Sequence, residues 1–277
     1  MKRLLNIEWN KIFYYKSARI FTILYFLMLA AVGVILAYIK PEIGGIELDI
    51  VQLGFFNFPD IWQNIAYVVA IGKIFLGVIV IMNVTNEFSN GTLKQNLIDG
   101  LSKKEFLQSK ILTNFIFAAV STVFVFAISL ILGFIFSNSQ DAVFKGIDFI
   151  GAYFIKLSFF FSFCLFLALL LKKSAFSLLG LFVWWVVEGI ISVVEVLIIM
   201  ARNNGNIDPE GFFISNFLPL KSSANLINFP TMDPQGFITG KSIFVPSSVD
   251  WVFVVSSVFY TALFIWLSYR LLKKRDL

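Results

Sequence analysis

Four charged side chains lie within or near the ends of long apolar runs of the sequence. They are Lys73, Lys156, Glu188 and Glu195. A charge at the centre of a membrane-spanning helix costs about 2.5–3.5 kcal/mol on insertion scales, so something must offset each one. Glu188 and Glu195 are seven residues apart and therefore share one helical face. Two interpretations are open: structural pairing between helices, with snorkelling for Lys156, or a polar path lining or ion-coupling relay.

Residues for enzymatic or metal chemistry are scarce. The chain has no His and a single Cys, so it lacks a Ser/His/Asp triad, a Cys/His pair, a zinc-ligand cluster and an internal disulfide. We therefore expect the chain to have no catalytic constellation, no metal site and no cofactor of its own.

One run imitates a nucleotide site. Residues 236–242 read GFITGKS, which is one residue short of the phosphate-binding pattern G-x-x-x-x-G-K-[ST]. The position five before Gly240 is Gln235, and Pro246 follows where a helix should begin. Losing one backbone N–H position spoils the phosphate cradle. We therefore expect no nucleotide to bind at this run.

The composition is that of a membrane protein. Apolar residues make up 58% of the 277 residues and charged residues 14%, against about 45–50% and 25% in soluble domains. About 20 apolar residues cross a hydrocarbon core of about 30 Å. The sequence predicts an all-α protein with a single membrane domain, residues 1–277. Its six predicted spans are residues 20–39, 61–84, 104–136, 149–171, 174–200 and 251–269.

The basic residues are distributed unequally between the two sets of loops. Fifteen fall in the set that includes both termini and five in the other. The positive-inside rule then predicts cytosolic termini and a multi-pass protein of the cell membrane. The pI of about 9.2 reflects this topology and anionic lipid. We expect the lipid bilayer, and no nucleic acid, as a partner.

Two segments outside the spans have patterns of their own. Residues 1–19 place Leu5, Trp9 and Phe13, with Ile12, on one helical face, which predicts an interfacial amphipathic helix; a positively charged anchor without a helix is the alternative. Residues 201–250 form the longest outer loop. Its apolar run 212–220 is too short to cross, which favours a re-entrant segment over a folded cap.

The loop 86–103 between the second and third spans carries several helix signals. Thr92 with Gln95, and Ser102 with Glu105, each match a capping box, and Gly100 matches a helix C-cap. We predict a short helix over about residues 93–99. The 34-residue run that follows would be about 50 Å long, so its first turns must project into water.

The predicted short helix has an apolar side. Leu93, Leu97 and Ile98 share it, whereas Lys94 and Gln95 lie elsewhere. A capped, water-exposed helix with an apolar face is typical of a docking element.

With these features the chain resembles the permease subunits of type-2 ATP-binding-cassette (ABC) exporters. The residues that match the family pattern are Glu87, Gly91, Thr92, Ser102, Lys103, Lys104 and Lys110. Gly100 stands where the family often has Pro. The amphipathic N-terminal helix, the six spans and the long loop before the last span are similar too.

The resemblance implies a function and its partners. The loop would dock a separate ATPase subunit. Two such ATPase subunits would bind ATP and Mg. They would move two permease copies, a homodimer or a heterodimer, around a central translocation path. The implied docking residues are Thr92, Leu93, Lys94, Leu97, Ile98, Ser102 and Lys103, with Glu87, Gly91 and Gly100 as loop motif. The alternatives are an ion-coupled secondary transporter or channel using Lys73 and Glu188, and a structural membrane subunit of a larger machine.

Overall fold

A computed structural model gives the architecture of the chain. It describes residues 2–40, 42–43, 46–47, 49–138, 142–203, 213–232, 244–245 and 247–275. The fold is all-α, and six helical stretches are long and apolar enough to cross a membrane, which confirms the predicted multi-pass architecture. The run 236–242 and parts of the loop 201–250 lie outside the described residues.

The described helices are named in chain order. They are α1 (Lys2–Tyr14), α2 (Lys16–Tyr38), α3 (Ile61–Val69), α4 (Lys73–Ser89), α5 (Thr92–Ile98), α6 (Lys103–Phe136), α7 (Asp148–Leu171), α8 (Ser174–Arg202), α9 (Pro219–Ala224) and α10 (Trp251–Lys274). Short 3₁₀ turns lie at Ala70–Gly72 and Ile214–Phe217. Two antiparallel strand pairs complete the list, β1 (Glu42–Ile43) with β2 (Ile46–Glu47) and β3 (Thr231–Met232) with β4 (Phe244–Val245). Each predicted span boundary lies within a few residues of the observed one.

Six crossings return the chain to the side on which α2 begins. We call this side the terminal face, because it holds α1, the loop 86–103 and Arg275, which follows α10. Lys103 donates to the Arg275 carbonyl oxygen. The Arg275 guanidinium in turn donates to the carbonyl oxygens of Leu169 and Leu170 at the end of α7. These contacts join the ends of three spans on one side of the bundle.

α7 lies at the centre of the bundle and α8 at its edge. In the most apolar window of α7, 72% of residues are buried, against 6% in α8. α7 packs on α10, α4, α6 and α8. The ring centroids of Phe163 and Phe264 are 4.8 Å apart, in the tilted geometry that aromatic pairs favour. The apolar face of α8 is left open to the surroundings.

The second span is interrupted by the 3₁₀ turn Ala70–Gly72 between α3 and α4. Gly72 allows α2 to approach closely, since a Cβ there would lie 2.2 Å from the Met28 Cε atom and 3.4 Å from the Tyr25 ring. A 3₁₀ stretch within a helix changes the direction in which the following side chains point. The residue that follows directly is Lys73, near the middle of the span.

α1 packs beside α2 and α6 and joins α2 at Tyr15, where the backbone is extended. Trp9 and Phe13 are 57% and 56% exposed, whereas Glu8 is only 2% exposed. An exposed apolar face beside a polar face that meets the protein is the pattern of an interfacial helix. The predicted N-terminal helix is therefore present, and it ends at Tyr14.

Candidate functional site

The loop 86–103 contains the predicted short helix, α5, although it begins differently from the prediction. Gly91 occupies the N-cap position in a left-handed conformation, with φ +67°, and makes no side-chain cap bond. Thr92 is already helical, and its hydroxyl donates to the Glu87 carbonyl oxygen over 3.5 Å. The predicted Thr92–Gln95 capping box is therefore wrong, because the turn after α4 places the more permissive glycine at the cap.

The second predicted capping box is confirmed. The Ser102 hydroxyl accepts from the Glu105 backbone N–H at 3.2 Å, and the Glu105 carboxylate accepts from the Ser102 backbone N–H at 2.9 Å. The hydrogen bond from the Ser102 backbone lowers the pKa of the Glu105 carboxyl. Gly100 has φ +98°, the left-handed conformation that its predicted role requires. α5 is thus joined to α6 by a short, fixed turn.

The predicted apolar docking face of α5 is largely turned toward its own chain. Leu93 is 2% exposed and Leu97 is partly buried against the core, whereas Ile98 is 74% exposed. The helix lies against α4, so the same face that a partner might use already has a neighbour. The surface that remains available around Ile98 consists of Thr92, Lys94, Gln95, Asp99 and Gly100.

Beneath α5 lies a cluster of charges that we call the terminal-face cluster: Glu8, Lys11, Asn83, Glu87 and Lys110. The Lys110 ammonium contacts the Glu87 carboxylate and lies 2.6 Å from Glu8 Oε2. Lys11 lies 2.9 Å from Glu87 Oε1 and 3.2 Å from Glu8 Oε1. The Asn83 amide donates to Glu8 at 3.1 Å. Two acids and two bases thus join α1, α4 and α6.

The cluster is almost entirely buried, which makes its pairing obligatory. Glu8, Glu87 and Lys110 are 2%, 4% and 1% exposed. Burial alone would raise the pKa of Glu8, but the charges of Lys110 and Lys11, with hydrogen bonds from Lys110 and Asn83, hold that pKa below its ordinary value. Burial would likewise lower the pKa of Lys11, yet the two carboxylates raise it. The opposite charges around Glu8 and Lys11 therefore stabilise the ionised forms of these two residues.

Sequence reasoning identified Glu87 and Lys110 only as positions of a family pattern, and it did not find Glu8 or Asn83 as their partners. A signal for Glu8 was present. It is the one acidic residue among the first nineteen, and it stands three residues before Lys11, in a helix whose other charged residues are all basic. Its buried partner on α6 depends on tertiary packing.

The two carboxylates of α8 do not pair with lysines of other spans. Glu188 accepts from the backbone N–H groups of Leu220 and Lys221, at 3.0 and 2.9 Å, and from the Trp184 indole at 2.7 Å. Glu195 accepts from the backbone N–H groups of Ile214 and Ser215, at 2.6 and 2.8 Å. Both carboxylates therefore bind backbone of one segment, residues 213–227, which we call the inserted segment.

Lys156 holds the other end of the inserted segment. Its ammonium, on α7, donates to the carbonyl oxygens of Ala224 and Ile227, at 3.1 and 3.5 Å. The Glu188 carboxylate at the start of α9 and the Lys156 ammonium at its end both match the helix dipole. Glu188 is fourteen residues from each end of α8, so the segment reaches half-way along that helix. Lys156, Glu188 and Glu195 therefore contact backbone groups. This differs from the pairing between helices, or the snorkelling of Lys156, that the sequence predicted.

Lys73 differs from the other three intramembrane charges. Its ammonium lies 5.0 Å from the centroid of the Phe160 ring. Within the described ranges it forms neither a hydrogen bond nor an ion pair, and it does not pair with Glu188. It lines a cavity of about 970 Å³ at the edge of the bundle. The structure therefore brings Lys156, Glu188 and Glu195 together around the inserted segment and leaves Lys73 apart.

A family model described as "Protein of unknown function (DUF2705)" matches residues 19–277. The chain belongs to this family. A search of curated proteins finds no match to the chain. The matched range includes Asn83, Glu87 and Lys110 but begins after α1, so Glu8 and Lys11 of the terminal-face cluster lie before it. In the part of the chain that the structure describes, no three His, Cys, Asp or Glu side chains are grouped as metal ligands.

Proposed function

We propose that this chain is the membrane-spanning permease subunit of an ABC exporter. A separate ATPase subunit, present in two copies and binding ATP and Mg, docks on α5. A second permease copy, identical or homologous, completes the translocation path. The observation that carries the proposal is the exposed surface of α5 around Ile98. Short turns join this helix to the ends of two spans, and a buried charge cluster holds those two ends together.

The connection from α5 to the spans suits force transmission. α4 runs directly into the Asn90–Gly91 turn and α5, and the Ser102 capping box starts α6 a few residues later. Glu87 near the end of α4 contacts Lys110 near the start of α6, and both contact α1. A displacement of α5 would therefore move three helices as one unit. A coupling element must have this rigidity, since bistable, well-packed elements carry motion over distance.

The exposed part of α5 suits a protein partner more than a lipid surface. Ile98 is an aliphatic side chain surrounded by Lys94, Gln95 and Asp99, all exposed. An apolar anchor with a polar rim is the usual anatomy of a protein interface. Docking therefore centres on Ile98, whereas Leu93 supports the helix from beneath.

Two observations weaken the alternative of an ion-coupled transporter. Both carboxylate oxygens of Glu188 accept backbone N–H groups, so this residue holds the inserted segment in place. Lys73, the other member of the proposed relay, makes no ion pair with it among the described residues. A purely structural membrane subunit would have the same fold but no need of an exposed, rigidly mounted helix.

The proposal includes a topology and a location. The distribution of basic residues supports a cytosolic terminal face, where an ATPase is accessible. The proposed location is the cell membrane. The inserted segment then enters from the outer side and acts as a re-entrant segment, because Leu220 and Lys221 reach the middle of α8.

Reconstitution tests the function directly. We expect the purified chain in nanodiscs to hydrolyse ATP no faster than empty nanodiscs. Adding an ATPase subunit encoded beside it should form a complex with two copies of each chain, whose hydrolysis exceeds that of the ATPase subunit alone. ATP hydrolysis by the isolated chain, or a candidate ATPase that neither binds nor responds, would contradict the proposal.

A further inference from the structure

A large cavity opens between the second span, α7, α8 and the inserted segment. Its volume of about 970 Å³ lies at the upper end of the range, about 300–1,000 Å³, that small-molecule sites occupy. Apolar side chains of α8 make most of its wall, including Leu181, Trp185 and Val193. Lys73 is the charged group that the second span contributes. We call this space the Lys73 cavity.

The charges in the Lys73 cavity are not balanced. Lys73, Lys221 and Glu188 are the ionisable residues that line it. Glu188 has both oxygens bound to backbone N–H groups, and the Lys221 ammonium donates to the neutral Ser192 hydroxyl at 2.5 Å. Lys73 has only the face of Phe160, at 5.0 Å, among the described residues. Among the described residues, no carboxylate therefore lies beside Lys73.

The depth of Lys73 restricts what an anion at this position can belong to. The second span runs from Ile61 to Ser89, and Lys73 lies near its middle. A resident bilayer lipid keeps its headgroup at the membrane surface, far from this depth. Charged residues inside a membrane usually pair or mark a transport path. An anion that reaches Lys73 is therefore carried by a molecule in passage.

We propose that the Lys73 cavity binds an anionic amphiphile, with its carboxylate or phosphate at Lys73 and its aliphatic body along the apolar wall of α8. This inference rests on the proposed exporter function and names the substrate class. The cavity combines a wide apolar wall with the charge of Lys73. Small-molecule sites are usually built in this way, from apolar side chains and a few placed polar groups.

The test measures binding to the purified chain alone, in nanodiscs of phosphatidylcholine. The probe is dodecanoate brominated at the end of its chain, because bromine quenches tryptophan fluorescence on contact and Trp185 lines the cavity. We expect saturable quenching that Trp185→Phe diminishes. Lys73→Gln should weaken binding at least about tenfold, as loss of a buried charge partner does, whereas Lys73→Arg should retain it. Lys145→Gln, at an exposed lysine between α6 and α7 that does not line the cavity, is the matched control.

A second pair of variants fills space without touching Lys73. Gly189 lines the cavity, and a Cβ built on it meets nothing within 4 Å, so Gly189→Leu should occupy the cavity and abolish saturable quenching. Gly151 in α7 is equally unobstructed but lies outside the cavity, so Gly151→Leu should bind normally. This pair keeps the test decisive even if Lys73→Gln accumulates poorly.

Three results would overturn the proposal. One is equal binding by wild type and Lys73→Gln. Another is equal saturable binding of a bromododecyl trimethylammonium cation. The third is absence of quenching together with a change of oligomeric mass in Gly189→Leu, which would mean that a second copy of the chain fills the cavity. The binding measurement contains no ATPase subunit. A negative result in it therefore does not bear on docking at α5, and a negative docking result does not affect the binding measurement.

Discussion

Lys110 is the residue on which the terminal-face cluster depends. It is 1% exposed, and it contacts a carboxylate of α1 and a carboxylate of α4. A buried ion pair contributes little net stability compared with an apolar pair of similar volume, but breaking it is strongly destabilising because a charge is left without compensation. The value of this residue is therefore in specifying how three helices meet.

Replacing Lys110 with Met should destabilise the protein by about 3–5 kcal/mol, since Glu8 and Glu87 would share only Lys11. The measurement is the unfolding midpoint in detergent by tryptophan fluorescence. Lys94→Met, at an exposed position of α5, should leave the midpoint unchanged. The double variant Lys110→Met/Glu87→Gln should regain part of the loss. An unchanged midpoint in Lys110→Met would refute the obligatory pairing.

The stability that Glu8 contributes should depend on pH in a defined direction. Its pKa is lowered from the ordinary 4.5 in the folded protein, so its contribution is complete above 4.5 and is lost as the pH falls through the lowered value. The unfolding midpoints of wild type and Glu8→Gln should therefore differ at about pH 7 and converge as the pH falls through the lowered pKa. A gap that stays constant over this range would show that Glu8 is not ionised in the cluster.

At the scale of elements, apolar periodicity was sufficient to predict all six spans, because each is a long run with its own composition. The Ser102 capping box was also predictable, since both of its partners are local. The burial of Leu93 was not predictable, because residue spacing shows which side chains share a helical face but not which element covers that face. The backbone N–H groups that bind Glu188 and Glu195 lie 19 to 33 residues away along the chain. Every residue type except proline has such a group, so the sequence does not show which ones are partners.

The inserted segment is the element that these carboxylates position. Glu188→Gln keeps one acceptor oxygen but loses the charge and one backbone bond, and hydrogen bonds to charged groups contribute about 1.5–3 kcal/mol. Amide hydrogen exchange over residues 214–224 should therefore accelerate about ten- to hundredfold. Exchange in α7 should remain unchanged, and Glu42→Gln, at an exposed position, should have no effect. Wild-type exchange rates in the inserted segment of Glu188→Gln would contradict this role.

At the scale of the whole molecule, the two proposed partners meet different surfaces. In the proposed complex, the ATPase subunit docks on α5 on the terminal face. The second permease copy has the exposed edge of α8 available, where only 6% of the most apolar window is buried in the single chain. Such an arrangement leaves the Lys73 cavity beside the open face of α8. Movement of α5 would thus reach the cavity through α4, which carries both Glu87 and Lys73.

Docking at Ile98 is the central claim, and one co-purification experiment tests it most directly. Ile98→Asp puts a carboxylate at the apolar centre of the proposed interface, where an unpaired charge is strongly disfavoured. Ile98 is 74% exposed, so folding and insertion should be normal. The matched control is Phe144→Asp, at a 64% exposed residue on the opposite face. We predict that the ATPase subunit co-purifies with wild type and Phe144→Asp but is lost from Ile98→Asp at equal amounts of membrane-inserted chain. Retention of the ATPase by Ile98→Asp at the wild-type level would contradict the account.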